Sequence, residues 1–443
     1  MVIASIDIQN GKVVQLKQGS ELVLEQDNVL ELAAEFDRYG EIAVIDLDAA
    51  MGKGSNLEMI KHIMRKGECR VGGGIRTPEQ AKELVSLGAK KIIIGSSAFR
   101  ISEKKGNGII GGEFAVNVPF LEAMSKKIGR ERLIIAVDAR NGEIVVDGWK
   151  TRTGLDLVEA AKLVELFAGE LLFTCVEREG TMTGIDLASV RKLREAVSCQ
   201  ITVAGGISTL AEIEEIAVIG CDVQLGMALY TGKINLADAF TVSLNWKKGE
   251  IPIPAPYALF SLLHSLLPLI VQSPDNQVLM TGFTDVEAII ETFIRGNVCF
   301  HSRTRNKLWM KGENSGNVLK LIRLRADCDR DALLATAEPA GPVCHTGAWS
   351  CFSIEKKFSF EFLQNIIFDR FRHPVPGSYT STLDDELVRE KVQEEAKELC
   401  EAKTKKEIIM EAADVFYFST ALLTRANVSI HEVLDELDRR HKK

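Results

Sequence analysis

No apolar run in this 443-residue chain is long enough to cross a bilayer. The longest, Tyr257 to Val271, is interrupted by His264 and Pro268 and falls short of the ~20 residues that a spanning helix needs. Positive charge is not in excess either. Lys and Arg number 54 against 62 Asp and Glu, a net charge of −8, so neither a nucleic-acid polymer nor a membrane is expected as a partner. The opening M-V-I-A-S-I-D-I-Q-N-G has no basic segment and is too polar for a secretory signal. Nine cysteines, an odd number with three clustered between 328 and 351, do not suit a disulfide framework. A cytoplasmic location is expected. Charged residues at 26% and hydrophobic residues at 46% are ordinary for a globular protein, and the length predicts two or three domains.

What is present first is a repeat. S-I-D-I-Q-N-G-K-V-V at 5–14 returns as A-V-D-A-R-N-G-E-I-V at 136–145, V-G-G-G-I at 71–75 as V-A-G-G-I at 203–207, and I-I-G-S-S-A-F at 93–99 as Q-L-G-M-A-L-Y at 224–230. A fixed offset marks a duplicated unit. Short β-branched runs such as Ala43–Leu47, Lys91–Ile94 and Leu133–Val137 alternate with helical stretches such as Leu30–Asp37, Pro78–Leu87 and Leu157–Leu166. Over residues 1–243 this alternation predicts a (β/α)8 TIM barrel built from two halves.

The repeated residues fall where strands should end. Gly73 and Gly74 with Gly95 and Ser96 in one half, and Gly205 and Gly206 with Gly226 in the other, offer backbone amides that suit phosphate. Two such corners predict a substrate with two phosphates. Asp7 and Asp138 end equivalent strands and can serve as acid and base. A Gly cluster alone reads as a tight turn and an Asp alone as a loop cap, but the shared offset argues against both. These motifs, with V-I-D-L-D-A-A and D-G-W, resemble the phosphoribosylformimino-aminoimidazole-carboxamide ribotide isomerases of histidine biosynthesis. The resemblance implies Asp7 as base and Asp138 as acid in an Amadori rearrangement, with Thr174 and Trp149 shaping the site. Three departures stand out. Gln15 replaces a substrate-holding Arg, Cys175 and Glu179 replace aspartates, and a Gly- and Lys-rich insertion occupies Lys104–Gly112.

Trp246 to Pro256, W-K-K-G-E-I-P-I-P-A-P, marks a stiff connector, so a Pro-rich linker is expected over 244–263. From Leu266, two strand-like runs flank a turn at Pro274–Asn276, and a helix is expected over about Asp285–Arg295. Arg303, Arg305, Lys307 and Lys311 then form a local cationic segment: either a solvated strand edge or a clamp for nucleotide phosphate. Asp327–Phe352 carries Cys328, Cys344, Cys351 and His345 with Asp327, Asp329 and Asp331. If 327–331 is extended, the three aspartates share one face and Cys328 points to the other. Three thiolates suit a catalytic zinc with one open position, and the aspartates suit a harder cation. Spacing alone leaves zinc and three core thiols both open. A calcium loop is rejected because its sixth position is Ala332.

S-R-T-R-x-x-L-W-x-K-G-E-x-S-G, D-C-D-x-D-A-L-L and C-H-T-G-x-x-S-C-F together resemble phosphoribosyl-AMP cyclohydrolases, which implies an α+β zinc domain over 264–353. By that resemblance Cys328, Cys344 and Cys351 bind zinc and the three aspartates bind magnesium. The cysteines can come from two chains, so a homodimer is implied. Zinc would supply hydroxide near neutral pH to open the adenine ring, with His345 carrying a proton and Arg303, Arg305 and Lys311 contacting phosphate. Asn314 and Asn317 stand where Thr and His are common.

Residues 357–443 have few glycines and no strand alternation, so helices are expected. K-V-Q-E-E-A-K-E places Glu394, Glu395 and Glu398 on one helix, and E-A-A-D places Glu411 and Asp414 on another. A charge run is usually a solvated face. However, Glu411 and Asp414 interrupt an apolar stretch, and carboxylates embedded there would need a metal. With G-S-Y-T at 377–380, the pattern resembles phosphoribosyl-ATP pyrophosphohydrolase, an all-α domain. That implies magnesium on the five carboxylates and phosphate or ribose contacts from Ser378, Tyr379 and Lys391. Three resemblances name consecutive steps on phosphoribosyl-nucleotide substrates, in reverse order along the chain. A trifunctional enzyme is therefore expected. The alternatives are a bifunctional enzyme with a degenerate barrel, or a module that only senses such nucleotides.

Overall fold

The computed structural model describes residues 1–101, 114–246, 265–352 and 358–441. The Lys104–Gly112 insertion and all but the first three residues of the expected linker lie outside them. Met1–Phe352 forms one compact unit and Ser353–Lys443 a second.

Eight parallel strands close the barrel: β1 Val2–Gln9, β2 Ile42–Asp46, β3 Cys69–Gly72, β4 Lys91–Ile94, β5 Leu133–Ala136, β6 Glu170–Thr174, β7 Gln200–Ala204 and β8 Asp222–Leu225. Pairing of Val2 with Val223 and Ala4 with Leu225 joins the last strand to the first. The strands are short and almost wholly buried, as expected of parallel strands covered on both faces. The duplication extends to the helix starts. Thr77 with Gln80 and Thr209 with Glu212 form capping boxes on helices Pro78–Ser86 and Leu210–Val218, each supplying partners for otherwise unpaired first-turn amides.

Inside the barrel, Ile93, Ile134, Ala136, Leu172 and Ala204 form an apolar layer. Nearer the strand starts, the buried Arg70 bridges Glu41 and Glu170, joined by Thr202 and by Lys91, whose Nζ lies 2.9 Å from Glu170. Burial alone would raise the Glu170 carboxyl, but Arg70 and Lys91 hold it down at about 2. Among the described residues these side chains fill the barrel below its mouth, and the cavity lies at the strand ends.

The middle domain is a four-stranded sheet in the order Val278–Thr284, Leu267–Gln272, Leu333–Pro339, Leu319–Ala326. The central pair is parallel and the outer pairs antiparallel. Helix Val286–Arg295, capped by Asp285 and ended by left-handed Gly296, buries Ala288, Ile289, Thr292 and Phe293. The hairpin Cys299–Ser302 with Lys307–Met310 completes the α+β fold.

This domain shares its core with the barrel. Ala237, Phe240 and Leu244 join Leu267, Leu269, Ile289 and Phe293 in one cluster, with Trp246 against it, so the linker expected from 244 begins inside a packed core. Tyr39 stacks on Phe293 with ring centroids 4.0 Å apart, and Phe240 meets Phe293 edge-on at 5.6 Å. Arg323 grips both carboxylate oxygens of Asp37 and donates to its carbonyl at 3.0 Å. Arg325 pairs with Glu68. Asp37, Glu68 and Tyr39 all precede barrel strands, so the middle domain docks on the end opposite the mouth.

The second unit holds helices Phe360–Arg372, Asp385–Glu401, Lys405–Arg425 and Ile430–His441. Ile367, Leu383, Val388, Phe418 and Ala421 form its small core. The apolar stretch around Glu411 and Asp414 is not interior within one chain. Ile408, Ile409, Met410 and Phe416 are exposed because the helix turns only its Phe418, Thr420 and Ala421 face inward.

Candidate active sites

A cavity of about 760 Å3 occupies the barrel mouth. Asp7, near the end of β1, and Asp138, two residues past β5, both line it. Burial pushes Asp7 up to about 6, although Ser5 Oγ donates to it at 2.9 Å. Burial also raises Asp138, opposed by hydrogen bonds from Thr174 and from Trp149 Nε1 at 2.8 Å. Glu179 enters the same cavity, and burial together with the charges of Asp7 and Asp138 pushes it up to about 8. Near neutral pH the mouth therefore holds an ionised Asp7 beside a protonated Glu179.

The two Gly corners line opposite repeats of this mouth. A Cβ at Gly73 would lie 2.2 Å from the Asp46 carbonyl oxygen, and one at Gly205 would lie 2.7 Å from that of Cys175. Both residues have positive φ, so neither position accepts another residue without moving backbone. Gly74, Gly95, Ser96, Gly206 and Gly226 also line the cavity, with the cations Lys53, Arg76 and Lys150. Ser96 Oγ accepts from the Asp147 amide at 2.8 Å. Asp147, Gly148 and Trp149 are all left-handed, with φ of 55°, 64° and 68°, and this turn lays the indole against Gly19, where a Cβ would lie 2.8 Å from the ring. Such strain persists where surrounding contacts hold it. Gln15 is buried against Gly226, and its Nε2 has no hydrogen-bond partner.

In the middle domain Asp327, Asp329 and Asp331 bring carboxylate oxygens within 4.8 Å of one another. They do so on a tight turn rather than on the extended segment considered from sequence. Asp327 Oδ1 accepts from the amides of Asp331 at 3.0 Å and Ala332 at 3.2 Å, and Arg330 is left-handed with φ of 65°. Folding back on the Asp327 side chain satisfies those amides, and the carboxylates converge by turn geometry instead of strand alternation.

Cys344 and Cys351 lie together. Hydrogen bonds from Thr346, whose hydroxyl donates to Cys344 Sγ at 3.1 Å, and a contact with Cys351 hold the Cys344 thiol below its usual range. Burial and the neighbouring Cys344 push Cys351 up. Lys311 is buried beside both thiols, and burial lowers its pKa. His345 Nδ1 is 3.8 Å from Cys344 Sγ. Cys328 sits on the aspartate turn and, among the described residues, joins no metal-spaced group with the other thiols. Arg303 lies over the Phe283 ring at 3.8 Å, and Arg305 is exposed.

In the helical unit, Glu395, Glu411 and Asp414 converge from two helices with oxygens within 4.8 Å. Burial and the charge of Asp414 raise Glu395; burial, Glu398 and Asp414 raise Glu411. Glu398 adjoins Glu411 and adds to its rise, whereas Glu394 turns outward to Lys391 Nζ at 2.5 Å. Ser378 leads into the turn Tyr379–Thr382, and Tyr379 meets Phe418 edge-on at 6.2 Å.

Family models match in three consecutive blocks: "histidine biosynthesis protein" over residues 1–235, phosphoribosyl-AMP cyclohydrolase over 280–353 and phosphoribosyl-ATP pyrophosphohydrolase over 360–441. The chain belongs to the histidine biosynthesis protein family. Similar to its first half are phosphoribosyl imidazole-4-carboxamide isomerases of Methanosphaera stadtmanae, 36% identical over 54% of this chain and 98% of that protein, and of Methanocaldococcus jannaschii, 36% identical over 55% and 100%. The histidine biosynthesis bifunctional protein HisIE of Campylobacter jejuni is 44% identical over 40% of this chain and 91% of its own length. This histidine-biosynthesis chain thus joins an isomerase barrel to a cyclohydrolase and a pyrophosphohydrolase domain. The last two belong to metal-dependent families. Among the described residues, no helix is long and apolar enough to cross a membrane.

The structure of this family member gathers Asp7, Asp138, Thr174, Trp149 and all the expected Gly corners at one mouth. Sequence reasoning passed over Ser5, Lys53, Arg76 and Arg330. A signal existed for Ser5, two residues before Asp7 on one strand face, and for Arg76, directly after G-G-I. None existed for Arg330, whose side-chain partners are more than 100 positions away.

Proposed function

We propose that one chain converts phosphoribosyl-ATP to phosphoribosyl-AMP at the helical carboxylates, opens the adenine ring in the middle domain and isomerises the product in the barrel. The observation that carries the isomerase reading is the pair Asp7 and Asp138, brought from equivalent repeats into one cavity with Asp7 tuned to about 6. Asp7 removes the proton next to the aldehyde-level carbon, and Asp138, oriented by Trp149 and Thr174, gives a proton to the ribose ring oxygen. The Gly corners, with Lys53, Arg76 and Lys150 on the rim, hold the two phosphates. The tuned carboxylates favour an active isomerase over a degenerate barrel, even with Gln15 in place of an arginine.

The Cys344–Cys351 pair fits zinc: one thiol is held toward its anion and a cation stands close by. Zinc would supply hydroxide near neutral pH, and His345 would move a proton beside it. Cys328 of a second copy would complete the site, which supports a homodimer, as does the exposed Ile408, Ile409, Met410 and Phe416 row. The Asp327, Asp329, Asp331 turn and the Glu395, Glu411, Asp414 group, with Glu398 behind it, have the donor chemistry of a magnesium site. Magnesium there would neutralise substrate phosphates. Ser378, Tyr379 and Lys391 would contact phosphate or ribose beside the helical group.

Assaying wild-type protein and Asp7→Asn on the ring-opened ribotide tests the barrel. The variant should lose about 100-fold or more in turnover, the scale of a general base, while pyrophosphate release continues. A wild-type protein with no turnover would sink the isomerase reading.

A further inference from the structure

The cation turn of the middle domain is anchored in the barrel. Arg330 stands between Asp329 and Asp331, and its side chain leaves the turn for the start of β8. Nη2 donates to the Cys221 carbonyl at 3.0 Å and to the Asp222 carboxylate at 2.8 Å, and Nη1 reaches the Ala217 carbonyl at 3.5 Å. Both members of the ion pair are largely buried, with side-chain exposures of 12% and 4%. From the segment after the last barrel helix, Asn245 donates its amide to the Arg330 carbonyl at 2.8 Å and its Nδ2 to the Asp329 carbonyl at 3.3 Å. The turn between the carboxylates is therefore held from the barrel by side-chain and main-chain bonds.

The backbone adds a second argument. Arg330 is left-handed with φ of 65°, a conformation glycine adopts at lower cost than any residue with a Cβ. An arginine is justified there by its side chain, not by the turn. We infer that the barrel is part of the cyclohydrolase cation site: Arg330, locked to Asp222, is a positioning residue that sets the spacing of Asp327, Asp329 and Asp331. This rests on the reading of those aspartates as a divalent-cation site. Outer partners that orient metal ligands commonly govern affinity by 10- to 100-fold.

Mn2+ binding followed by electron paramagnetic resonance on the full chain tests this, with Glu395→Gln and Asp414→Asn present to silence the helical carboxylates. Arg330→Gly suits the left-handed backbone and removes the tether, leaving Asp222 held by Gln200 Nε2 at 2.9 Å. It should weaken Mn2+ by about tenfold or more, raise the Mg2+ concentration needed for half-maximal cyclohydrolase activity by a similar factor, and recover turnover at saturating Mg2+. Isomerase activity should be unchanged and serves as the folding check. Arg330→Lys should retain part of the affinity. Asn245→Ala, a milder cut of the same tether, should shift binding in the same direction by less. Arg330→Gly binding Mn2+ as tightly as the parent would overturn the proposal. Mn2+ binding that survives Asp327→Asn would instead overturn the cation reading, and the proposal with it.

Discussion

Asp7, Asp138 and Glu179 place three carboxyl groups in a mouth proposed to accept two phosphates, so the pH dependence of the barrel follows from how many are charged. The base role proposed for Asp7 requires its ionised form. Burial has pushed it up to about 6, so kcat/KM for isomerisation should fall as pH drops through that value. Glu179 is neutral below about 8. Above that, a further anion faces the phosphates and KM should rise. The profile should be bell-shaped with limbs near 6 and 8. Glu179→Gln should shift the alkaline limb, the rest of which belongs to deprotonation of Asp138 as the proposed acid, and leave the acid limb in place, and an unchanged alkaline limb would remove Glu179 from the account. Asp7 and Asp138 were legible because duplication repeats them. Glu179 reads in the sequence only as a departure from an aspartate, since proximity across the mouth depends on the closed barrel.

At the scale of elements, the helices Asp385–Glu401 and Lys405–Arg425 each carry a spacing that announces paired carboxylates. E-E-x-x-E and E-x-x-D contain the residues that converge, Glu395 with Glu411 and Asp414. Helical period alone did not say that Glu394 would turn to Lys391, nor that the apolar residues flanking Glu411 would be exposed, because period defines a face and not what covers it. Glu411→Gln should abolish pyrophosphate release while cyclohydrolase activity persists; a parallel loss of both would contradict separate sites. Because Glu395 and Glu411 are raised by burial and by their neighbours, protons would compete with a divalent cation at this proposed site. Calorimetry should accordingly show Mg2+ binding weakening in mildly acidic buffer, with proton release on binding.

Across the whole molecule, the barrel and the middle domain behave as one body, a feature the sequence concealed behind a Pro-rich segment that looked like a clean boundary. The surfaces that join them, Asp37 with Arg323 and Tyr39 with Phe293, lie more than 250 positions apart in the chain, and no local pattern announces such pairs. Removing one partner of a largely buried ion pair costs about 3–5 kcal/mol, so Arg323→Ala should lower the melting temperature of barrel and middle domain together, as a single calorimetric transition. The same docking constrains traffic between active sites. The mouth opens at the strand ends, whereas the Asp327–Asp331 turn is fixed to Asp222 at the start of β8, so the filled barrel stands between the two proposed sites. Among the described residues, the apolar layer of Ile93, Ile134 and Leu172 and the Arg70–Glu170 network fill the barrel interior. Release of the ring-opened ribotide to solvent is therefore the expected route. In a coupled assay on labelled phosphoribosyl-AMP, added unlabelled ribotide should dilute the label in the isomerised product as fully as in a mixture of separate enzymes; label protected from that dilution would require a route that this fold does not provide.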